Sequence, residues 1–244
     1  MIKINNLTKK YKDKLAVDNL NLEIKTGELF SLLGTNGAGK TTTIKMLSTL
    51  ILPTSGEVEI NNLDLVKDSS KIKEIINISP QETAVASNLT VLENLYFMAG
   101  IYQIPNKEDK IKDLIKLFKL EEVLKQKAKT LSGGYQRKLS IAISLINNPK
   151  ILFLDEPTLG LDVISRHDLW KVIELLKGKT TIILTTHYME EAEVLSDRIG
   201  IMNKGKLIEL GTSKELIKKA KTKNFEDAFI KIIEEDNNEN TNIC

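Results

Sequence analysis

Residues 34–41 read Gly-Thr-Asn-Gly-Ala-Gly-Lys-Thr, a spacing of glycines, ammonium and hydroxyl that suits the holding of a polyphosphate. Glycines at 34, 37 and 39 let the backbone enter conformations that a β-carbon forbids, so successive amide N–H groups can converge on phosphate oxygens. Lys40 offers a mobile point charge to β- and γ-phosphate oxygens, and the Thr41 hydroxyl suits an octahedral Mg²⁺ shell. This is the pattern G-x-x-x-x-G-K-[ST], the phosphate-binding P-loop. A glycine-rich turn between a strand and a helix would read the same way, but the flanks add weight. The apolar run Leu-Phe-Ser-Leu-Leu at 29–33 leads in, and a helix opening near Lys40 adds its positive dipole end. Gly34, Asn36, Gly37, Ala38, Gly39, Lys40, Thr41 and Thr42 are therefore the expected nucleotide contacts.

Two further stretches carry chemistry. Ile-Leu-Phe-Leu at 151–154 runs directly into Asp155-Glu156-Pro157. Ligands of α/β sheets gather at the carboxyl ends of strands, which puts both acids beside the P-loop. Asp155 can then anchor Mg²⁺, usually through water, while Glu156 takes a proton from an attacking water. The alternative is that Asp155 only caps the segment after Pro157. The second stretch is Leu131-Ser-Gly-Gly-Tyr-Gln-Arg-Lys138, which opens a helix with apolar positions Leu139, Ile143 and Ile146 on one side. Ser132 is a good N-cap, and Gly133 and Gly134 leave amides uncovered, together a second anion site. The same residues also describe a well-capped helix and nothing more.

The elements that must position these groups follow from periodicity. Ile2/Ile4 and Leu20/Leu22/Ile24 alternate with polar residues, as half-buried antiparallel strands do, and Val58/Ile60 continue the pattern after a turn at 53–56. These form a β layer around the P-loop strand and its helix, expected from Thr41 to about Leu50. From about residue 83 to 145 the period becomes helical, with Ile111, Leu114, Ile115 and Phe118 on one face. The runs at 151–154 and 181–184 lack alternation, which suits strands buried on both faces of a parallel sheet, and a helix of three to four turns from Val163 would cross between them. A hairpin is expected around 203–205 and helices from Ser213 and Phe225. Residues 234–244 hold little to bury and read as disordered.

Composition bounds the rest. The 244 residues suit one large domain or a domain with a satellite, 41% hydrophobic and 28% charged, and Lys+Arg exceeds Asp+Glu by 35 − 33 = 2, so no strong field favours nucleic acid. Acids interleave with the lysines between 106 and 129, the mark of a solvated helix face. The one cysteine, Cys244, allows no intrachain disulfide or Cys-based zinc cage and fits a reduced setting. The start lacks a signal-peptide run and no window approaches 18 consecutive apolar residues, so work at a membrane would need a partner.

Residues 34–41, 131–137 and 152–156, in this order and at these separations, resemble the nucleotide-binding subunit of ATP-binding cassette (ABC) transporters, over roughly residues 2–211. The Leu-Ser-Gly-Gly element is specific to that group, whereas many NTPases share the P-loop. The resemblance implies a P-loop NTPase core of α/β class with an antiparallel β layer and a helical subdomain (about 83–145), spanning 1–211, and a short helical extension with a disordered tail at 212–244. It implies a head-to-tail dimer, of identical or related subunits, in which Ser132 and Gly134 of one contact the γ-phosphate held by the other. It places Tyr11 as an aromatic stacking on adenine, a chemically apt role; the alternative is an ordinary tyrosine flanking a strand. Gln81 resembles the glutamine that contacts Mg²⁺ or the attacking water, His187 the histidine that touches the γ-phosphate and orients the catalytic carboxylate, and Asp162 an aspartate across the dimer seam that is also a good N-cap. Tyr135 stands where glutamine is usual and Thr35 where proline is frequent; neither change removes a phosphate donor. His167, between Arg166 and Asp168, reads as solvated surface.

By the same resemblance the protein is an ATPase with Mg²⁺ that energises a separate transmembrane permease from the cytoplasmic face of the membrane. The permease's coupling helix would dock on residues 82–102, where Val85, Leu89, Tyr96 and Tyr102 could equally form the insert's own core. Residues 158–162 and the Phe-Glu-Asp-Ala-Phe stretch at 225–229 are similar to export-type cassettes. The alternative is a soluble ABC ATPase of translation or DNA maintenance, but such relatives carry two cassettes or a long coiled coil between the motifs, and this chain has neither.

Overall fold

The computed structural model describes residues 1–241, which leaves Cys244 outside the described residues. The chain opens with β1 (Ile2–Tyr11) and β2 (Lys14–Ile24), antiparallel in the register Ile2↔Ile24, Ile4↔Leu22 and Leu7↔Leu20. That register puts the alternating apolar residues on one face, which is why they are buried. β3 (Leu29–Gly34) then enters the core and the loop at 35–39 delivers the chain into α1 (Lys40–Leu47). The helix ends earlier than its sequence suggests, because Thr49 takes a left-handed backbone (φ 62°). β4 (Ser55–Ile60) pairs with β1, and β5 (Leu63–Asp64) completes a sheet of order β2-β1-β4-β5.

After α2 (Ser69–Ile75) comes β6 (Ile76–Ser79), too short for its period to show. Three helices follow: α3 (Val91–Ile101), α4 (Lys107–Phe118) and α5 (Gly133–Ser144). Thr90 and Glu93 close a reciprocal cap on α3. β7 (Ile151–Asp155), α6 (Val163–Leu176) and β8 (Thr181–Thr186) make the expected crossover. α7 (Met189–Leu195), β9 (Arg198–Asn203), β10 (Lys206–Gly211) and α8 (Ser213–Ala220) complete the sheet and its cover. The second sheet runs β10-β9-β3-β8-β7-β6, parallel except for β10.

Residues of β7 and β8 alternate between two cores. Phe153 and Ile183 face α1 and the first sheet, with Ile44, Met46 and Leu47 between the layers. Leu152, Leu154, Ile182 and Leu184 face α3–α6. β7 and β8 are buried throughout, as unalternating apolar runs require.

The tail departs from its sequence pattern. α9 (Phe225–Thr241) is helical where disorder was expected from Glu234. Phe225, Ala228 and Ile232 pack with Leu33, Ile199 and Ile201, and Asn203 Nδ2 donates to Asp236 Oδ2 (2.7 Å) and Asn237 Oδ1 (3.2 Å). Tertiary hydrogen bonds thus order a polar stretch that has little apolar surface of its own.

Candidate active site

The P-loop is wedged between backbones. A β-carbon on Gly34 would stand 2.4 Å from the Met202 carbonyl oxygen, and one on Gly39, at φ +103°, 2.5 Å from that of Ala16. The β9–β10 turn closes the wedge: Gly205 N donates to Ala38 O (3.1 Å) and Asp18 N donates to Gly205 O (2.8 Å). Lys40 opens α1 and its Nζ donates to Gly34 O (2.8 Å) and Thr35 O (3.1 Å). Burial pushes the Lys40 pKa below the usual lysine value, against the opposing pull of Glu156 and Asp155.

The two acids emerge from β7 where expected. Asp155 Oδ1 accepts from Thr41 Oγ1 (3.0 Å) and from Thr185 Oγ1 (2.5 Å). Glu156 has a left-handed backbone (φ +46°), a conformation that costs a side-chain-bearing residue about 1–2 kcal/mol. Its carboxylate lies between Lys40 Nζ (3.7 Å) and His187 Nδ1 (3.3 Å). His187 Nδ1 is buried and makes no hydrogen bond with protein atoms, so its contact with Glu156 is one of proximity.

Asn36, Gly37, Ala38, Gly39, Lys40, Thr41, Thr42, Gln81, Glu156 and His187 line one cleft of about 430 Å³, joined by Lys14, Ala16 and Leu159. Gly34 and Asp155 sit behind it as its floor, bonded to Lys40 and Thr41. Thr41, Asp155 and Gln81 offer hard oxygen donors. Among the described residues no three of His, Cys, Asp and Glu cluster to cage a metal. The three oxygen donors of Thr41, Asp155 and Gln81 fit a hard cation such as Mg²⁺ that keeps water and phosphate ligands.

Other expected residues lie elsewhere. Tyr11 is 44% exposed at the end of β1, paired with Lys14, outside the cleft wall, with Lys9 Nζ 5.1 Å from its ring. Ser132, Gly133 and Gly134 open α5 on another surface, where Ser132 is the N-cap and its Oγ accepts from Tyr135 N at 3.5 Å. Asp162 caps α6, accepting from Ser165 N (3.0 Å) and Ser165 Oγ (2.6 Å). The two helix openings are neighbours: a β-carbon on Gly134 would lie 3.0 Å from Ser165 Oγ.

Three residues escape a reading of the sequence. Thr185 holds Asp155 and also accepts from Glu156 N (3.0 Å). Arg137, 4% exposed, donates to Pro80 O and Glu156 O, both at 2.6 Å. Glu191 is buried, with Oε1 accepting from Thr158 Oγ1 (2.8 Å) and Trp170 Nε1 (3.0 Å). Nothing in the pattern of residues 131–138 marks Arg137 as buried.

The family model described as ABC transporter matches residues 17–159, more than half of the chain. The chain belongs to the ABC transporter family. It is 41% identical over 219 residues to the linearmycin resistance ATP-binding protein LnrL of Bacillus subtilis, covering 88% of this cassette and 70% of LnrL. It is 39% identical to YbhF of Escherichia coli, a probable multidrug ABC transporter ATP-binding protein, over 99% of this cassette and 43% of YbhF. The chain therefore spans less than half the length of YbhF, and 13% of the human phospholipid-transporting ATPase ABCA3, to which it is 43% identical. Among solved structures, the dimeric cassette MJ0796 with ADP and Pi bound superposes at TM-score 0.80 with 30% identity, over 87% of this chain and 98% of that one. This cassette is thus an ABC ATPase, α/β in class with the antiparallel layer and helices described above.

Proposed function

We propose that two such cassettes, identical or related, close head to tail around ATP and drive a separate membrane-spanning partner that moves its substrate outward. One observation carries this reading: the phosphate machinery is divided. Lys40, Thr41, Gln81, Glu156 and His187 share the cleft, while Ser132–Gly134 and Asp162 sit at the neighbouring openings of α5 and α6, outside its lining. A second copy, turned end for end, would bring Ser132 and the amides of Gly133 and Gly134 to the γ-phosphate in the first copy's cleft.

In the closed pair Glu156 would take the proton of the water attacking in line, with His187 holding the carboxylate. Lys40 and the second copy's Ser132 would oppose charge developing on the transferred group. Mg²⁺ held by Thr41, Gln81 and, through water, Asp155 would supply neutralisation of the phosphate oxygens. Tyr11, beside the wall residue Lys14, is proposed to reach adenine from the rim. Residues 1–211 are proposed as the ATPase domain, with the helices of 83–145 as the subdomain that carries Ser132, and 212–244 as an extension.

An external membrane partner is supported by two observations. Among the described residues no helix is long and apolar enough to cross a membrane. α3 meanwhile exposes Tyr96, Phe97 and Ile101, with Tyr102 exposed just past its end, while burying Val91, Leu95 and Ala99, which supports Tyr96 and Tyr102 as part of a docking face. Such docking would hold the cassette at the cytoplasmic face of the membrane. Outward transport is supported by the linearmycin resistance role of LnrL and the probable multidrug role of YbhF. Glu156→Gln should abolish turnover and retain ATP; wild-type turnover would reject the assignment. Mixing Lys40→Ala with Ser132→Arg subunits should restore one composite site, and absence of any complementation would reject the head-to-tail pair.

A further inference from the structure

Arg137 lies in the second turn of α5, the helix that Ser132, Gly133 and Gly134 open, yet its guanidinium points away from that end into the protein. Nη1 donates to the carbonyl of Pro80 and Nη2 to that of Glu156, each at 2.6 Å. Pro80 immediately precedes Gln81, which lines the cleft. One planar fork therefore joins the signature helix, the Gln81 loop and the Glu156 peptide.

The Glu156 peptide is where such a hold matters. Its left-handed backbone (φ +46°) is unfavourable for glutamate and persists only when neighbours over-determine it. Glu156 N is taken by Thr185 Oγ1 (3.0 Å) and Thr185 O (3.1 Å), and Glu156 O by Arg137 and by Leu159 N (3.2 Å). Leu159 belongs to the turn just after Glu156, so among the described residues Arg137 is the one group gripping that carbonyl from another part of the chain. With both sides of the residue fixed, the carboxylate is aimed between Lys40 and His187.

We infer that Arg137 is a positioning residue for hydrolysis: it keeps Glu156 in its strained conformation and the Gln81 loop in register with α5. The inference rests on the proposed role of Glu156 as base. Lysine cannot replace the fork, because a single ammonium lacks two parallel donors at fixed spacing. Glutamine keeps one donor group and should serve one carbonyl.

The test uses the purified full chain carrying Arg137→Lys or Arg137→Gln, each checked for a wild-type melting profile. Turnover number should fall about 100-fold, the scale of a misplaced catalytic group. The Kd for ATP, read with a fluorescent nucleotide, and ATP-dependent pairing, read by light scattering, should stay within about twofold of wild type, since neither carbonyl touches the P-loop contacts. Undiminished turnover in a folded variant overturns the inference, as does a parallel loss of turnover, ATP binding and pairing, or failure of both variants to fold, which would mark Arg137 as merely structural. Glu156→Gln run alongside separates the two readings. Its normal turnover would refute the role of Glu156, whereas an inactive Glu156→Gln beside a fully active Arg137→Gln would refute the inference about Arg137 alone.

Discussion

Thr185→Val removes a hydroxyl and replaces it with a methyl of nearly the same volume, so its effect reports hydrogen bonding and little else. Thr185 Oγ1 donates to Asp155 Oδ1 at 2.5 Å and accepts from Glu156 N at 3.0 Å. Glu156 N keeps its second acceptor, Thr185 O at 3.1 Å, so the loss falls on Asp155. That carboxylate is 3% exposed and would retain Thr41 Oγ1 as its side-chain donor. A hydrogen bond to a buried charged group is worth about 1.5–3 kcal/mol, and for a chain of this size each kcal/mol moves the melting temperature by about 2–4 °C. The expected fall is therefore about 3–12 °C by calorimetry without nucleotide. Asp155 also loses the partner that fixes its orientation, and loss of such an outer partner weakens metal binding by about 10–100-fold. Titrating Mg²⁺ in a steady-state ATPase assay should show that rise in the half-saturating concentration. An unchanged melting temperature together with an unchanged Mg²⁺ requirement would refute the claim that Thr185 positions Asp155.

Two other substitutions separate stability from activity. A β-carbon on Gly133 would meet nothing within 4 Å, and Gly133 sits in the first turn of α5, so Gly133→Ala should raise stability by about 0.5–1 kcal/mol in urea unfolding; if, as proposed, that amide faces the γ-phosphate in a second copy, turnover should fall about 100-fold as the methyl covers it, and full activity would count against that use of the amide. Glu191 has its pKa raised by burial, partly offset by Thr186, Thr158, Trp170 and Arg166. A raised native pKa means that its stabilising contribution is complete below the ordinary carboxylate range and is lost as pH rises through the native value. Between those limits stability should drop by about 1.4 kcal/mol per pH unit, and Glu191→Gln, which keeps the acceptor for Thr158 and Trp170, should flatten that slope in urea titrations; identical slopes would refute it.

The phosphate-binding elements were legible because their chemistry is local. Residues 34–41 must place amides, ammonium and hydroxyl within one loop and one helical turn, so the sequence has little freedom there, and the order of β3, the loop and α1 follows. Asp155-Glu156 was legible for the same reason: an unalternating strand can end its acids only at one edge of the sheet. The features that escaped depend on residues far apart in the chain. β6 is four residues long, shorter than any window in which alternation is visible, and it exists because β7 offers a parallel partner from Ile76↔Ile151 to Ser79↔Leu154. The polar stretch at 234–241 is held by Asn203, which no local property of that stretch announces.

The division of the site is physical rather than incidental. Of the cleft's two lysines, Lys14 and Lys40, Lys40 already bonds to Gly34 O and Thr35 O and lies near Glu156, so its charge is partly offset within its own subunit. Under the proposed pairing, the amides of Gly133 and Gly134 of a second copy would add donors to those of Lys40 and the P-loop backbone. Arg137 and Thr185 grip the carbonyl and the amide of Glu156 from α5 and β8 respectively, so Arg137 ties the helix that Ser132 opens to the cleft. If α5 moved when a second copy closed on it, as proposed, the shift would reach the Glu156 peptide through the buried Arg137 guanidinium, and the position of the carboxylate would depend on that pairing.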